Sequence, residues 1–272
     1  MVGVGTRLMA PPVPESSLQR RVVLVGASNV ARGIATAVAS IRQHLGTRLD
    51  ILIACGHGRS YGLTSSMLGR SLPGIAECGL WNALRQRPVL PTFALLTDIG
   101  NDLLYNVPVP RIAGWVEICL QRLSAINTRI ILTELPLANL TTLPLWRFRL
   151  LRTLFFPGRN RAFADVVSDA KALNERIQNM AQRYAARLLK PHENWYGFDP
   201  IHIEMQQWPQ AWRTLTAAWA SDGASDTPAR GSLADWFYLR WLCPEQRVLF
   251  GIHQSAAQPV GKLYDDTRIS VY

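Results

Sequence analysis

Short apolar runs alternate along the chain with longer amphipathic stretches. Apolar runs rich in β-branched residues are typical of strands buried on both faces, and they occur at residues 22–25, 49–54, 92–97 and 129–133. Apolar positions recur at helical spacing over residues 29–44, 75–84, 111–123, 163–188 and 207–220. This alternation predicts a three-layer α/β/α sandwich, in which helices cover both faces of a central, mostly parallel sheet.

Two regions interrupt this alternation. Residues 135–161 follow the fourth strand and combine aromatic side chains with five arginines, without any Asp or Glu. We expect them to form a cap-like insertion, because the end of that strand lies at the edge where ligands bind. Residues 221–232 are polar and rich in Gly, Ser and Asp, which is typical of a linker.

The remaining segments complete the predicted domain organisation. Residues 1–20 are expected to be a flexible N-terminal segment, and residues 21–220 the main domain. After the linker, residues 233–242 predict a helix. Residues 260–264 and 268–272 flank an Asp-Asp turn and predict a hairpin. Because a segment of this size is marginal by itself, we expect residues 221–272 to pack on the main domain.

Composition and charge exclude several classes of protein. The chain has 272 residues, of which 48% are hydrophobic and 18% charged, so it is not a disordered protein. No apolar run has the length of a membrane span, and the N-terminus lacks the pattern of a signal peptide, which predicts a cytoplasmic protein. The net charge of +10 comes mostly from arginine. No nucleic-acid-binding motif accompanies it, so we expect no nucleic acid partner.

Polar residues with reactive side chains follow the predicted strands. Ser28 follows the first strand, Gly62 closes a glycine-rich loop after the second, and Asn101 follows the third. Asp199 and His202 share the loop before the last helix. Because ligands bind where parallel strands end, these five residues are predicted to meet at one edge of the sheet.

Together these residue types are the components of a serine hydrolase. A serine hydroxyl needs a base to take its proton, and His202 can be that base while Asp199 orients the imidazole. The oxyanion needs converging donors, and we predict the amides of Ser28 and Gly62 and the side chain of Asn101. This chemistry requires no cofactor or metal. The four cysteines form no metal-binding spacing and are expected to be reduced thiols.

In these residues the chain resembles the SGNH (GDSL-type) hydrolase superfamily, over about residues 20–220. Four blocks of that family occur in its order, at residues 25–28, 60–64, 100–102 and 199–202. One departure is Ala27, where the family usually has Asp. The resemblance implies a flavodoxin-like SGNH fold. It also implies a serine esterase acting on a carboxyl ester, such as an O-acetylated carbohydrate, a short-chain acyl ester or a lipid.

Other interpretations of these motifs stay open at this point. Ser60 lies in a Gly-x-Ser-x-Gly sequence, the nucleophile elbow of α/β-hydrolases, although residues 64–73 are poor helix formers. Ser28 by itself could simply cap a helix. Gly62 could only shape a turn, with Gly56 or Gly58 supplying the amide instead. A short-chain dehydrogenase is excluded, because no lysine stands in a Tyr-x-x-x-Lys motif.

A non-catalytic protein of the same fold that binds an acidic polymer is the competing class. Ala27, the C-terminal segment and the basic charge motivate it. In the enzyme, the arginines of the insertion are expected to attract an anionic group of the substrate or a lipid surface; they are Arg147, Arg149, Arg152, Arg159 and Arg161. The plainer alternative is a surface helix with solvated arginines. The oligomeric state does not follow from the sequence.

Overall fold

A computed structural model describes residues 18–155, 162–220 and 227–272 of the chain. The strands in this part of the chain are β1 (Arg20–Val25), β2 (Leu49–Ala54), β3 (Ser65–Met67), β4 (Arg70–Leu72), β5 (Thr92–Leu96), β6 (Arg129–Thr133), β7 (Arg187–Leu189), β8 (Gln246–Leu249), β9 (Ile252–Ser255), β10 (Gly261–Lys262) and β11 (Arg268–Val271). The helices are α1 (Ser28–Arg32), α2 (Ile34–Leu45), α3 (Leu80–Gln86), α4 (Asn101–Leu104), α5 (Val109–Ser124), α6 (Leu137–Thr141), α7 (Leu145–Phe155), α8 (Phe163–Arg183), α9 (Trp208–Thr216) and α10 (Leu233–Trp241).

A central sheet has the strand order β10-β11-β2-β1-β5-β6-β7. All neighbouring strands pair in parallel except β10, which is antiparallel to β11. One buried cluster joins a sheet face to α3, α5 and α8, and a second joins the other face to α2, α9 and α10. The predicted three-layer α/β/α fold is therefore confirmed.

The helix predicted over residues 29–44 is broken at Gly33 into α1 and α2. A Cβ atom at Gly33 would lie 2.3 Å from Nε1 of Trp212, a fully buried side chain of α9. Only a glycine lets α9 approach this closely, a long-range contact that helical periodicity does not contain. As a result, Ser28 begins a short helix, α1, and the residue that follows this helix lies against the indole of Trp212.

The C-terminal segment contributes strands to two sheets. The sequence predicts the hairpin formed by β10 and β11, but not that β11 pairs in parallel with β2 inside the central sheet. A second, antiparallel sheet has the order β3-β4-β8-β9, so it joins residues 65–72 to residues 246–255. These pairings bring the C-terminal segment beside the glycine-rich loop that follows β2.

The insertion after β6 contains α6 and the described part of α7. Leu143 and Phe148 form a small buried cluster with Val166 of α8. Residues 156–161, which include Arg159 and Arg161, lie outside the described residues, as do residues 1–17 and 221–226. Within the described ranges, no helix combines the length and the apolar character that crossing a membrane requires.

Candidate active site

Ser28, His202 and Asp199 form one hydrogen-bonded chain at the carboxyl edge of the sheet. Ser28 Oγ lies 2.8 Å from His202 Nε2, and His202 Nδ1 is bonded to Asp199 Oδ2. Because a carboxylate can only accept, Nδ1 carries the proton and Nε2 is left to accept from the serine hydroxyl. The histidine side chain is 12% exposed and that of the aspartate 23%. Both side chains are therefore accessible to a ligand but largely shielded from solvent.

The carboxylate of Asp199 is held in its charged form. Burial opposes its ionisation. The hydrogen bond and the charge of His202, with the backbone amides of Ile201 and His202, outweigh burial and lower the pKa of Asp199. Its Oδ1 accepts the amide of Ile201 at 3.0 Å. An anion fixed in this way orients the imidazole and stabilises an imidazolium when one forms.

Asp98 holds the turn that carries the serine. Its Oδ2 accepts the amides of Ala27 at 2.8 Å and of Asn29 at 3.0 Å. Asp98 has a φ of 58°, a left-handed conformation that Asp tolerates better than most residues. The sequence motifs assign no role to Asp98, although a polar residue directly after a buried strand is a signal that points to it.

Asn29 connects the serine turn to the histidine loop. Its Nδ2 donates to Asp98 Oδ1 at 2.8 Å and to the carbonyl of Ile201 at 2.9 Å, while its Oδ1 accepts the amide of Ile203 at 2.8 Å. The side chain is therefore fully used in fixing the distance between the two loops. Its position next to Ser28 is the only sequence signal for this role.

Two donors near the serine have no acceptor among the described residues. Asp98 binds the amides on either side of Ser28 but not the Ser28 amide itself. The side-chain Nδ2 of Asn101 is buried and without a partner. An unpaired buried donor costs about 1–3 kcal/mol, so it is expected where a ligand supplies the missing acceptor. Both groups were predicted as oxyanion donors.

Gly62, the third predicted oxyanion donor, has other contacts. Its amide donates to Ser60 Oγ at 3.1 Å, and a Cβ atom there would lie 1.9 Å from the ring of Trp115. Its place in the oxyanion hole stays a prediction, and one that this geometry disfavours. In the same loop, Gly58 has a φ of 62° and its amide has no acceptor in the described part of the chain. The carbonyl of Gly58 is fixed by the hydroxyl of Tyr105 at 2.6 Å.

Ser60 is fully buried and is used inside the fold. Its hydroxyl donates to Asp102 Oδ1 and accepts the amide of Leu63 at 2.7 Å, in addition to that of Gly62. Asp102 also accepts the amide of Tyr61 at 2.9 Å, and burial raises the pKa of Asp102 to about 6. No described histidine contacts Ser60, so the geometry lacks the histidine base that a nucleophile elbow uses.

An apolar cavity of about 110 Å³ lies beside Asn101 and Asp199, at the ends of β5 and β6. Its walls come from the loop after β5 and from α6, α7 and α8, and they include Ile99, Leu103, Leu135, Leu143, Phe148 and Val166. Since a cavity of about 150 Å³ accepts a benzene ring, this one has room for a smaller apolar group.

Arg147 of the insertion contacts the loop that leads to Asp199. Its Nη2 donates to the carbonyl of Gly197 at 3.0 Å and to that of Phe198, and its guanidinium lies 4.4 Å from the Phe198 ring. Arg147 is therefore occupied within the protein, whereas Arg149 is exposed. The side chain of Arg152 lies outside the described residues. Arg147 therefore drops out of the set of arginines in this insertion that are predicted to attract an anion.

Other reactive groups in the described part of the chain do not offer an alternative chemistry. Burial raises the pKa of the Cys55 thiol to about 11, so it is protonated and weakly nucleophilic near neutral pH. No three His, Cys, Asp or Glu side chains of the described residues gather in a way that could hold a metal ion.

No family model and no curated protein matches this sequence. Among solved structures, a carbohydrate acetylesterase family member from Sinorhizobium meliloti is 13% identical and covers 73% of this chain and 96% of its own, with a TM-score of 0.49. The aryl esterase of M. smegmatis is 12% identical over 73% of this chain and 97% of its own, with a TM-score of 0.48. The psychrotrophic esterase EstA from Pseudoalteromonas sp. is 13% identical over 73% and 94%, with a TM-score of 0.43. Identities this low concern the fold alone, so the chemistry must be argued from the site.

Proposed function

We propose that the protein is a serine esterase of the SGNH type that hydrolyses a carboxyl ester, with Ser28, His202 and Asp199 as its catalytic triad. The observation that carries this proposal is the unbroken chain of hydrogen bonds from the Ser28 hydroxyl through the imidazole to the Asp199 carboxylate. It lies where the strands of the central sheet end, which is where ligands bind in open α/β folds.

In the proposed mechanism, Ser28 Oγ attacks the ester carbonyl while His202 Nε2 takes its proton. Asp199 stabilises the resulting imidazolium. The tetrahedral oxyanion is bound by the Ser28 amide and by Asn101 Nδ2, and we assign the third donor to the amide of Gly58. His202 then gives the proton to the leaving alcohol. In the second half of the reaction, His202 takes a proton from a water molecule, which attacks the acyl-enzyme. The carboxylic acid is released, and the proton returns to Ser28 Oγ to regenerate the serine.

We assign the acyl group to the apolar cavity, because its wall includes Asn101, which would bind the carbonyl oxygen of the same ester. A volume of about 110 Å³ fits a short acyl group, from acetyl to about butyryl. The favoured substrates are therefore O-acetylated carbohydrates and other short-chain acyl esters, and long-chain lipids are disfavoured.

The test combines turnover with covalent labelling. Purified protein should hydrolyse p-nitrophenyl acetate and butyrate faster than the octanoate, and a fluorophosphonate probe should label one serine, Ser28, as identified by peptide mass spectrometry. Ser28→Ala should abolish both signals, while Ser66→Ala, a change at an exposed serine, should retain them. Labelling at Ser60 would support the elbow instead. A folded protein that is neither labelled nor active would support the binding protein.

A further inference from the structure

Two arginines contact the glycine-rich loop, on the side of Ser28 that lies opposite the apolar cavity, and a third ends the helix that carries Ser28. This loop follows β2 directly beside the serine turn, since the amide of Gly26 donates to the carbonyl of Ala54 at 3.1 Å. Arg240 of α10 has its Nη2 3.5 Å from His57 Nε2. Arg70 of β4 lies against Gly56, where a Cβ atom would be 3.2 Å from its Nη2. Arg32 ends α1, the helix that Ser28 begins.

The three arginines come from distant parts of the chain and are held in place by the fold. Arg70 is paired with Leu249 of β8 in the second sheet. The guanidinium of Arg240 lies 4.6 Å from the ring centre of Trp236, and Trp236 Nε1 donates to the carbonyl of Arg32 at 3.1 Å. The C-terminal segment thus carries one cation to the site and fixes it beside the other two.

No carboxylate neutralises these arginines within the described ranges. Elsewhere in the fold, arginines do pair with carboxylates, for example Arg21 and Arg87 with Asp50, Arg42 with Asp265, and Arg183 with Glu117. The surroundings of His57 are positive. Burial, followed by the charges of Arg240 and Arg70 and then of His202 and Arg32, lowers the pKa of His57 to about 4. Burial also lowers the pKa of Arg70.

Arg32 and Arg70 are partly buried, and cations in such positions without counter-charges are unfavourable unless an anion joins them. Guanidinium groups are also the side chains best suited to bind the oxygens of phosphate, sulfate or carboxylate groups, because each offers a fork of donors. The other flank of Ser28 is apolar and faces β5 and β6, whereas this flank lies at the end of β2. The two sides of an ester bound at Ser28 therefore meet opposite environments.

We propose that Arg32, Arg70, Arg240 and His57 form an anion-binding subsite, which holds an anionic group on the alcohol part of the ester. The proposal rests on the proposed esterase function and deepens it. The substrate is then a short-chain acyl ester of an anionic alcohol, with its acyl group in the cavity and its anionic group between the arginines.

The kinetic test compares two esters with the same scaffold, anionic 4-acetoxybenzoate and its neutral methyl ester. The measured quantity is the ratio of kcat/KM for the anionic ester to that for the neutral one. Arg240→Gln and Arg70→Gln should each lower this ratio about tenfold, the scale of a lost charge-assisted hydrogen bond. In the wild type the ratio should also fall as salt rises from ~0.01 to ~0.15 M, because screening shortens from about 30 to 8 Å.

Arg176→Gln is the matched control, because it removes the same charge from an exposed position on α8. It should leave the ratio as in the wild type. An equal fall in Arg176→Gln and Arg240→Gln would mean that the overall charge steers the substrate, and would overturn the subsite. Arg240 is exposed, so Arg240→Gln decides the test if Arg70→Gln does not fold.

A binding measurement separates this proposal from the esterase function. Inorganic phosphate is titrated calorimetrically into Ser28→Ala protein, with and without Arg240→Gln. The subsite requires binding that Arg240→Gln weakens about tenfold or more. If no ester is hydrolysed and phosphate still binds in this way, the esterase function fails and the anion site stands. If neutral esters are hydrolysed while phosphate does not bind, the anion site is refuted.

Discussion

The hydroxyl of Ser60 connects the glycine-rich loop to Asp102, and its removal provides a quantitative test of the site. Ser60→Ala leaves the buried Asp102 Oδ1 without its hydroxyl donor, and the amides of Gly62 and Leu63 without their acceptor. An unsatisfied buried group costs about 1–3 kcal/mol. The carboxylate bears this cost fully, whereas solvent reaches the two partly exposed residues. We expect Ser60→Ala to lower the free energy of unfolding by about 3 kcal/mol.

The effect of this substitution should depend on pH. Burial raises the pKa of Asp102 to about 6 in the folded protein, against an ordinary value of 3.8, and the hydrogen bond from Ser60 opposes that rise. Without it, the pKa rises further. When a carboxyl group binds its proton more tightly in the folded than in the unfolded protein, the free energy of unfolding falls as pH rises through the pKa of the folded state. Ser60→Ala should therefore be more destabilising at pH 8 than at pH 5.

Urea denaturation at these two pH values measures the effect. Ser40→Ala is the matched control, because Ser40 is also fully buried but its hydroxyl has no partner among the described residues. The same chemical change should there be neutral or stabilising. The folded fraction of Ser60→Ala should keep its activity on p-nitrophenyl acetate. Wild-type stability, or loss of activity in a folded Ser60→Ala protein, would refute the structural role of this serine.

Further predictions concern the individual parts of the site. Asp199→Asn should lower kcat on p-nitrophenyl acetate by about 10⁴-fold, because the imidazole loses the partner that fixes its tautomer. Asn101→Ala should lower kcat by about 10²–10³-fold, and its melting temperature should not fall, since the lost amide has no partner in the described structure. Arg147→Gln should lower kcat/KM equally for the anionic and the neutral ester, because Arg147 contacts the Asp199 loop. A selective loss on the anionic ester would show instead that Arg147 attracts the anionic group of the substrate.

The sequence is sufficient to predict the position of those site residues that stand next to a strand or helix along the chain. Ser28 stands directly after β1, and Asp199 and His202 share one short loop, so a local pattern predicts that they meet. The choice between Gly58 and Gly62 is different in kind. Both belong to one loop, and what separates them is packing against Tyr105 and Trp115, which the chain brings in from later segments.

The C-terminal segment shows the same limit at a larger scale. The Asp-Asp turn predicts the β10–β11 hairpin, but a pairing partner that lies far away along the chain leaves no trace in a local pattern. The register that sets Ile269 opposite Ile51 is an example. Because that pairing carries α10 to the glycine-rich loop, the position of Arg240 beside His57 could not be derived from spacing. The basic charge of the chain was visible, while its arrangement around Ser28 was not.

Ala27 shows how a missing motif residue can coexist with an ordered site. The Asp expected before the serine is absent, yet the carboxylate of Asp98 reaches the same turn from the end of β5 and accepts the amides of Ala27 and Asn29. Of three successive amides, those two are bound by one oxygen, and the amide of Ser28 is left without an acceptor in the described structure. Asp98 therefore orders the turn while leaving free the donor that an oxyanion would need. The departure at residue 27 is consequently no argument against catalysis.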